Sequence, residues 1–153
     1  MSTRAIRYLK REDVSFDVVK YEHKEKGAEF AARATAFPLD RTLKTLVVGL
    51  GRRNYCMPLL PGDRQLDLKQ LAQVFAVKRA IMADTATAER LTGYLVGGIS
   101  PFGTKQGLPV VMEKRIRECP EVLINAGRRG VMLKMTPEDI VKALGCRIES
   151  IAL

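Results

Sequence analysis

Two stretches of this 153-residue chain have residue types and spacing that could do chemistry: Lys44-Thr45 within LKTLVVGL, and Gly93–Gly103, GYLVGGISPFG. In a strand, alternate residues share a face. Lys44 therefore points with Leu46, Val48 and Leu50, and Thr45 lies on the opposite face unless a bulge re-aims it. A lysine on an apolar face either snorkels out at the strand end or sits in a partly dry pocket facing an anion. In the second setting it suits a phosphate or a developing oxyanion. In the glycine-rich run, Gly97-Gly98-Ile99-Ser100 offers four successive backbone N–H groups, and Pro101 ends the series because it has none. Paired glycines permit positive φ, so neighbouring amides can converge into a nest that holds a carbonyl oxygen as it gains charge. The same residues would also serve as a plain turn, and they match neither the Walker pattern nor GxGxxG.

Asn125-Ala126-Gly127-Arg128-Arg129-Gly130 is a third candidate, whose arginines either grip phosphates or stand solvated at a hairpin tip. Tyr21 closes a strand and is placed to edge a pocket. His23, two residues on, is a base or a surface residue. It is the one histidine, which excludes a multi-His metal centre, and Ser100 has no histidine nearby in sequence to activate it. Cys56, Cys119 and Cys146 are scattered, odd in number and without CxxC spacing. They read as reduced buried thiols, not a disulfide set or a zinc site. No metal and no cofactor is expected.

Charge narrows the partners. Lys plus Arg number 26 against 17 Asp plus Glu, a net charge of +9. A potential of that sign favours polyanions such as nucleic acid, although a soluble basic protein without such a partner has the same composition. Hydrophobic residues are 46%, enough for a packed core. The longest apolar runs, such as Leu46–Leu50, fall far short of a membrane span, and the N-terminus is charged from Arg4 onward with no signal-peptide core. A cytoplasmic protein of one domain, with no membrane partner, is expected.

The elements that must position these residues follow from periodicity and punctuation. Helices are expected from Ser2 (a cap) to Glu12, over Glu29–Phe37 up to Pro38, from Asp67 to about Ala76, and over Thr85–Leu91 capped by Asp84 or Thr85. A last helix begins at the Thr136 cap with Pro137 at its first position and ends at Gly145. Strands are expected at Ser15–Tyr21, at Leu43–Leu50 and Asn54–Leu60 joined through Gly51-Arg52-Arg53, at Arg79–Ala83, Pro109–Met112, Glu121–Asn125 and Val131–Met135, and at Cys146–Leu153. Several adjacent strands are too close for parallel crossovers. The fold class is α+β, a single-domain mixed, largely antiparallel β-sheet with helices on both sides.

Taken together, Lys44-Thr45-Leu46-Val47, then GYLVGGISPFG, then Gly127–Gly130 resemble the YbaK/prolyl-tRNA-editing-domain superfamily in order and spacing over nearly the whole chain. The glycine-rich signature is similar to that of the freestanding Cys-tRNA(Pro) deacylase branch. That resemblance implies a metal-free deacylase that hydrolyses the ester of mischarged tRNA, with prolyl-tRNA synthetase as a further partner. It implies that Lys44 contacts the substrate near the terminal adenosine and that Gly97, Gly98, Ile99, Ser100 and Pro101 meet the aminoacyl group through their backbone. Tyr21, Thr45, Asn125 and Gly127 would line the pocket, and Arg128 and Arg129 would assist tRNA binding. In the cysteine-specific members the substrate's own thiol would attack its carbonyl, so no protein nucleophile is needed. Two departures touch the substrate side. The connection Lys24–Ala28 (KEKGA) is short and lacks an aromatic, and Asn125-Ala126-Gly127-Arg128 stands where that branch commonly has Ser-Gly-Gly-Lys.

Chemistry favours such a role. A synthetase pocket separates amino acids differing by a methylene by only about 1–3 kcal/mol, so a second, hydrolytic sieve is needed. An aminoacyl ester is already activated, and orienting the attacker while stabilising the oxyanion is sufficient. Two rival readings are a non-catalytic module that binds tRNA or a synthetase, and a hydrolase of some small ester with the charge incidental.

Overall fold

Side-chain caps start most of the helices. The computed structural model describes residues 2–153. In it Thr3, one residue after the expected Ser2, caps α1 (Arg4–Arg11), its Oγ1 accepting from the Ile6 amide at 3.1 Å. Asp67, Asp84 and Thr136 do the same for α3 (Leu68–Val74), α4 (Thr85–Thr92) and α5 (Pro137–Leu144). Each satisfies a first-turn amide that has no partner inside its helix. α5 ends at Gly145 in the left-handed region, as its sequence requires. α2 (Ala28–Thr35) stops at Ala36, with φ of 55°, two residues short of Pro38.

Two sheets result. β1 (Asp17–Lys20), β8 (Val131–Met135) and β7 (Val122–Arg128) form an antiparallel trio in that order. The larger sheet runs β5 (Ile81–Met82), β3 (Val48–Gly51), β4 (Asn54–Pro61), β6 (Val110–Glu113) and β9 (Arg147–Glu149), and β2 (Leu43–Thr45) also pairs with β4. Only the β4–β6 and β6–β9 pairs are parallel, so the sheet is mixed and largely antiparallel, as expected. Thr42 and Leu123 form a parallel bridge between the two sheets.

The expected strand Leu43–Leu50 is interrupted at Leu46-Val47. Leu46 donates to the Pro58 carbonyl at 3.0 Å, but Pro58 has no N–H to return, so the ladder loses a rung there. Alternation survives the break. Leu43 and Val47 join the larger buried cluster, with Met57, Leu59 and Phe102, while Leu46, Val48 and Leu50 pack in a second one with Leu60 and Leu71. The hairpin after β3 turns on Arg52 and Arg53, both with positive φ of 52° and 61°, the backbone twist that tight hairpins favour.

β7 runs three residues beyond its expected end at Asn125, its register shifting between Asn125 and Arg128. The expected terminal strand Cys146–Leu153 shortens to β9 because the chain turns to meet Glu113. That carboxylate, 1% exposed, accepts from the amides of Arg115 (2.8 Å), Ile151 (2.9 Å) and Ala152 (3.1 Å). Glu113→Ala leaves the buried Ile151 amide unpaired, at about 1–3 kcal/mol, and removes the partner of the two part-buried amides as well. A clear fall in Tm is expected by thermal unfolding, with Glu113→Gln losing less. A Tm unchanged in Glu113→Ala would show that the C-terminal segment needs no such staple.

Of the cysteines only Cys56 is buried, which pushes its thiol up to about 12; Cys119 and Cys146 are half-buried. No described helix is long and apolar enough to cross a membrane.

Candidate functional site

The end of β2, the start of α2, the glycine-rich run and the β7–β8 pair enclose a cleft of about 220 Å³. Lys44 and Thr45 line it from β2, Tyr21 from the end of β1, Gly97 and Ile99 from the glycine-rich run, and Asn125 from β7. Six residues far apart in sequence thus meet in one small space. Sequence reasoning missed Lys26, Ala31, Val96 and Met132, which also line it. Met132 was readable from the alternation of β8 opposite Asn125, its register partner. Phe30, in the first turn of α2, lies 6.3 Å from the Tyr21 ring and supplies an aromatic that the preceding connection lacks.

Lys44 is only partly exposed, and burial pulls its ammonium below the ordinary lysine value of 10.5, against the pull of Asp63 and Glu29 in the other direction. It sits in the partly dry setting rather than at a free strand end. Desolvation strengthens its field on any anion brought to it. Beside it, the Thr45 hydroxyl is shielded from solvent and has no hydrogen-bond partner among the described residues.

The glycine-rich run is held from both sides. The Val96 amide donates to Glu89 Oε2 of α4 at 2.8 Å, and the Val96 carbonyl accepts from Arg129 Nε at 2.9 Å and Nη2 at 2.7 Å. Tyr94 and Phe102 are buried beneath, with the Tyr94 hydroxyl donating to the Phe102 carbonyl. Gly98 donates to the Leu95 carbonyl at 3.0 Å, so its amide is taken within the turn. The amides of Gly97, Ile99 and Ser100 have no protein partner among the described residues.

Four expected contacts lie off this wall. Gly98 faces the neighbouring groove, together with Gly127, Arg128 and Arg129. Ser100 and Pro101 are buried under the run, and Ser100 Oγ accepts from the Phe102 amide at 3.3 Å. A Cβ on Gly127 would lie 2.6 Å from the Tyr94 ring, so this glycine, with φ of 94°, makes room for Tyr94. Arg129 is engaged in clamping Val96, whereas Arg128 is exposed. A Cβ on Gly98 would come within 2.9 Å of Arg128 C and Arg129 N, so the paired glycines let the run lie directly on the hairpin backbone.

Chemically, the cleft is lined by one partly desolvated cation, by Gly97 and Ile99 with their unpaired amides and by Asn125, within apolar walls, and the Thr45 hydroxyl lies closed off from solvent beside them. That set can polarise a carbonyl and hold an oxyanion.

A model of the aminoacyl-tRNA editing domain matches residues 22–143. An Enterococcus faecalis protein provisionally named a Cys-tRNA(Pro)/Cys-tRNA(Cys) deacylase is 29% identical over 141 residues, 91% of this chain and 86% of that protein. The multifunctional Ser/Thr-tRNA deacylase ProXp-y of Escherichia coli K12 is 33% identical over 137 residues, 86% of this chain and 81% of that one. A crystal structure provisionally described as a trans-editing enzyme for prolyl-tRNA synthetase superposes with a TM-score of 0.90 at 23% identity, covering 100% of this chain and 99% of its own.

Proposed function

The chain belongs to the aminoacyl-tRNA editing domain family, and from that premise we propose that it clears Cys-tRNA(Pro), or a closely related small mischarged species, in trans in the cytoplasm, alongside prolyl-tRNA synthetase. Its relatives are named as tRNA deacylases, and the chain is an aminoacyl-tRNA deacylase of that kind. The observation that carries the finer reading is the meeting of Lys44, Gly97 and the unpaired Thr45 hydroxyl in one small cleft. At about 220 Å³ the space falls below the ~300–1,000 Å³ typical of drug-sized pockets. It suits an aminoacyl group, with the bulk of the tRNA outside.

In this reading the ester carbonyl points its oxygen between Lys44 and the Gly97 amide. The attacking group is the substrate's own thiol or a water. As the carbonyl carbon becomes tetrahedral, charge develops in the space that the cation and the amide line, and both would stabilise it. The ester C–O bond then breaks, and the proton of the attacking group ends on the ribose oxygen. A buried hydroxyl without a partner is costly unless something arrives to pair with it. A turn of the Thr45 side chain that brings this hydroxyl into the cleft therefore favours an amino acid that carries a thiol or hydroxyl.

The test is a panel of purified tRNAs charged with cysteine, serine, threonine, alanine and proline. The cysteine ester is expected to be cleared fastest and the correct prolyl ester spared. Thr45→Val should slow the thiol or hydroxyl esters about five- to tenfold, a hydrogen bond's worth of binding, and leave the alanyl ester unaffected. Loss of every ester at the spontaneous rate would end the catalytic reading, and equal slowing of the alanyl ester would remove Thr45 from amino-acid selection.

A further inference from the structure

α1 carries four basic residues among its eight, Arg4, Arg7, Lys10 and Arg11, and no acidic one. At 100° per residue, Arg4, Arg7 and Arg11 fall within an arc of about 60° on one side of the helix. All three are exposed, and none forms an ion pair with a carboxylate of the described residues. Arg4 occupies the first position of the helix and Arg7 follows one turn on, the end at which the macrodipole disfavours cations. Local helix energetics do not account for that placement.

The position of α1 does. Thr3, its cap, donates through Oγ1 to the Ala126 carbonyl at 2.6 Å, and α1 packs with Ile124 and Ala126 on the face of β7 away from Asn125 and the cleft. On the other side, the Arg4 guanidinium lies where a Cβ of Gly93 would sit, and a Cβ on Gly103 would be 2.8 Å from the Arg4 carbonyl. Gly93 is four residues before Gly97, at most about 14 Å of chain. Arg4 and Arg7 both act on the buried Tyr94 hydroxyl, against the burial that raises it to about 12. The cationic stripe of α1 therefore begins beside the groove lined by Gly93, Gly98, Gly127 and Arg128, which adjoins the cleft at the Gly97-Gly98 step, and runs on for the length of the helix.

We propose that Arg4, Arg7 and Arg11 form a phosphate track for the acceptor end of the tRNA whose aminoacyl ester occupies the cleft, a surface that rests on the deacylase reading above. The terminal ester sits in the cleft, and the phosphates leading away from it cross the neighbouring groove and pass along α1. Contacts of this kind carry affinity and register and no sequence information. The stripe thus sets how tightly a charged tRNA is held, while the cleft selects the amino acid.

The experiment compares the wild type with the triple variant Arg4→Gln, Arg7→Gln, Arg11→Gln, and with the lysine triple Arg4→Lys, Arg7→Lys, Arg11→Lys. A charge-matched control replaces the exposed Lys69, Lys78 and Lys142 with Gln. Binding of uncharged tRNA(Pro) is followed by fluorescence anisotropy. Turnover is measured on Cys-tRNA(Pro) and on the cysteinyl ester of adenosine. The glutamine triple is expected to raise Kd and KM for tRNA on the order of tenfold or more, with kcat retained. The slope of log affinity against log salt should fall by about two to three, at ~0.7–0.9 per phosphate. The adenosine ester, which has no phosphates to follow the helix, should be turned over as by the wild type. The lysine triple should recover most of the affinity, which a packing role for Arg11 over the Tyr8 ring would not allow. Unchanged tRNA binding in the glutamine triple, an equal loss in the charge-matched control, or an equal loss on the adenosine ester would overturn the track. Stripe-dependent tRNA binding with no ester cleared by the wild type would sink the deacylase reading and leave the track standing.

Discussion

Replacing Lys44 with alanine is expected to lower kcat for deacylation by about 10²–10³, the usual cost of removing one oxyanion-stabilising group, with the secondary structure intact by circular dichroism. Lys44 is the one cation of the set that lines the cleft beside the amides of Gly97 and Ile99, apart from Lys26 at the exposed rim. Its partial burial gives the prediction a second, independent arm. Burial lowers its proton affinity in the folded chain. Between that lowered value and the ordinary 10.5, the folded chain binds fewer protons than the unfolded one, so stability rises with pH through that window. Below the window the cost of burying the charge is present in full. Lys44→Met should therefore unfold at a higher temperature than the wild type at pH 7, and this advantage should shrink as the pH climbs toward 10.5. An inactive but stabilised variant is what a residue kept for catalysis would give. A variant as active as the wild type would take Lys44 out of the mechanism.

Gly98→Ala is the second large effect expected, and it comes from packing rather than chemistry. A Cβ there meets two backbone atoms of the β7–β8 hairpin at 2.9 Å, and backbone cannot swing aside as a flexible side chain can. The run must lift from the hairpin, stretching the Arg129–Val96 clamp and shifting the neighbouring Gly97 at the cleft wall. Overpacking of this kind costs about 1–3 kcal/mol in stability, and misplacing a catalytic donor by an ångström costs on the order of 10²-fold in rate. Gly107 is the control, because a Cβ there meets nothing within 4 Å and its φ is not in the left-handed region. Gly107→Ala should match the wild type in rate and Tm. Full activity in Gly98→Ala, with a crystal structure showing the run unmoved, would contradict the close approach.

The glycine-rich segment shows how far the sequence could be taken. That its apolar neighbours pin the backbone was readable from Tyr94, Ile99 and Phe102, while a ligand-facing loop and a plain turn stayed open as its use. Which of its amides remain available was not readable. Gly98 folds back on Leu95, Ser100 turns inward to Phe102, and only Gly97 and Ile99 reach the wall. Likewise Arg129 reads in sequence either as a phosphate ligand or as a solvated arginine at a hairpin tip, and in the fold it holds Val96, 33 residues away.

Sequence alone determined what depends on neighbours a few residues apart: the caps at Asp67 and Thr136, the hairpin through Gly51-Arg52-Arg53, the alternation of the apolar residues that follow Lys44, and a net positive charge suited to a polyanion. These follow from backbone geometry and periodicity, which a linear pattern records. Tertiary structure alone decided which polar groups find partners. Glu113 holds amides 38 and 39 residues further on, Thr3 reaches Ala126 across 123 residues and so fixes where the arginines of α1 stand, and the Thr45 hydroxyl finds no partner among the described residues. Such pairings are set by where separate elements come to rest against one another, and no local pattern of residues encodes that distance.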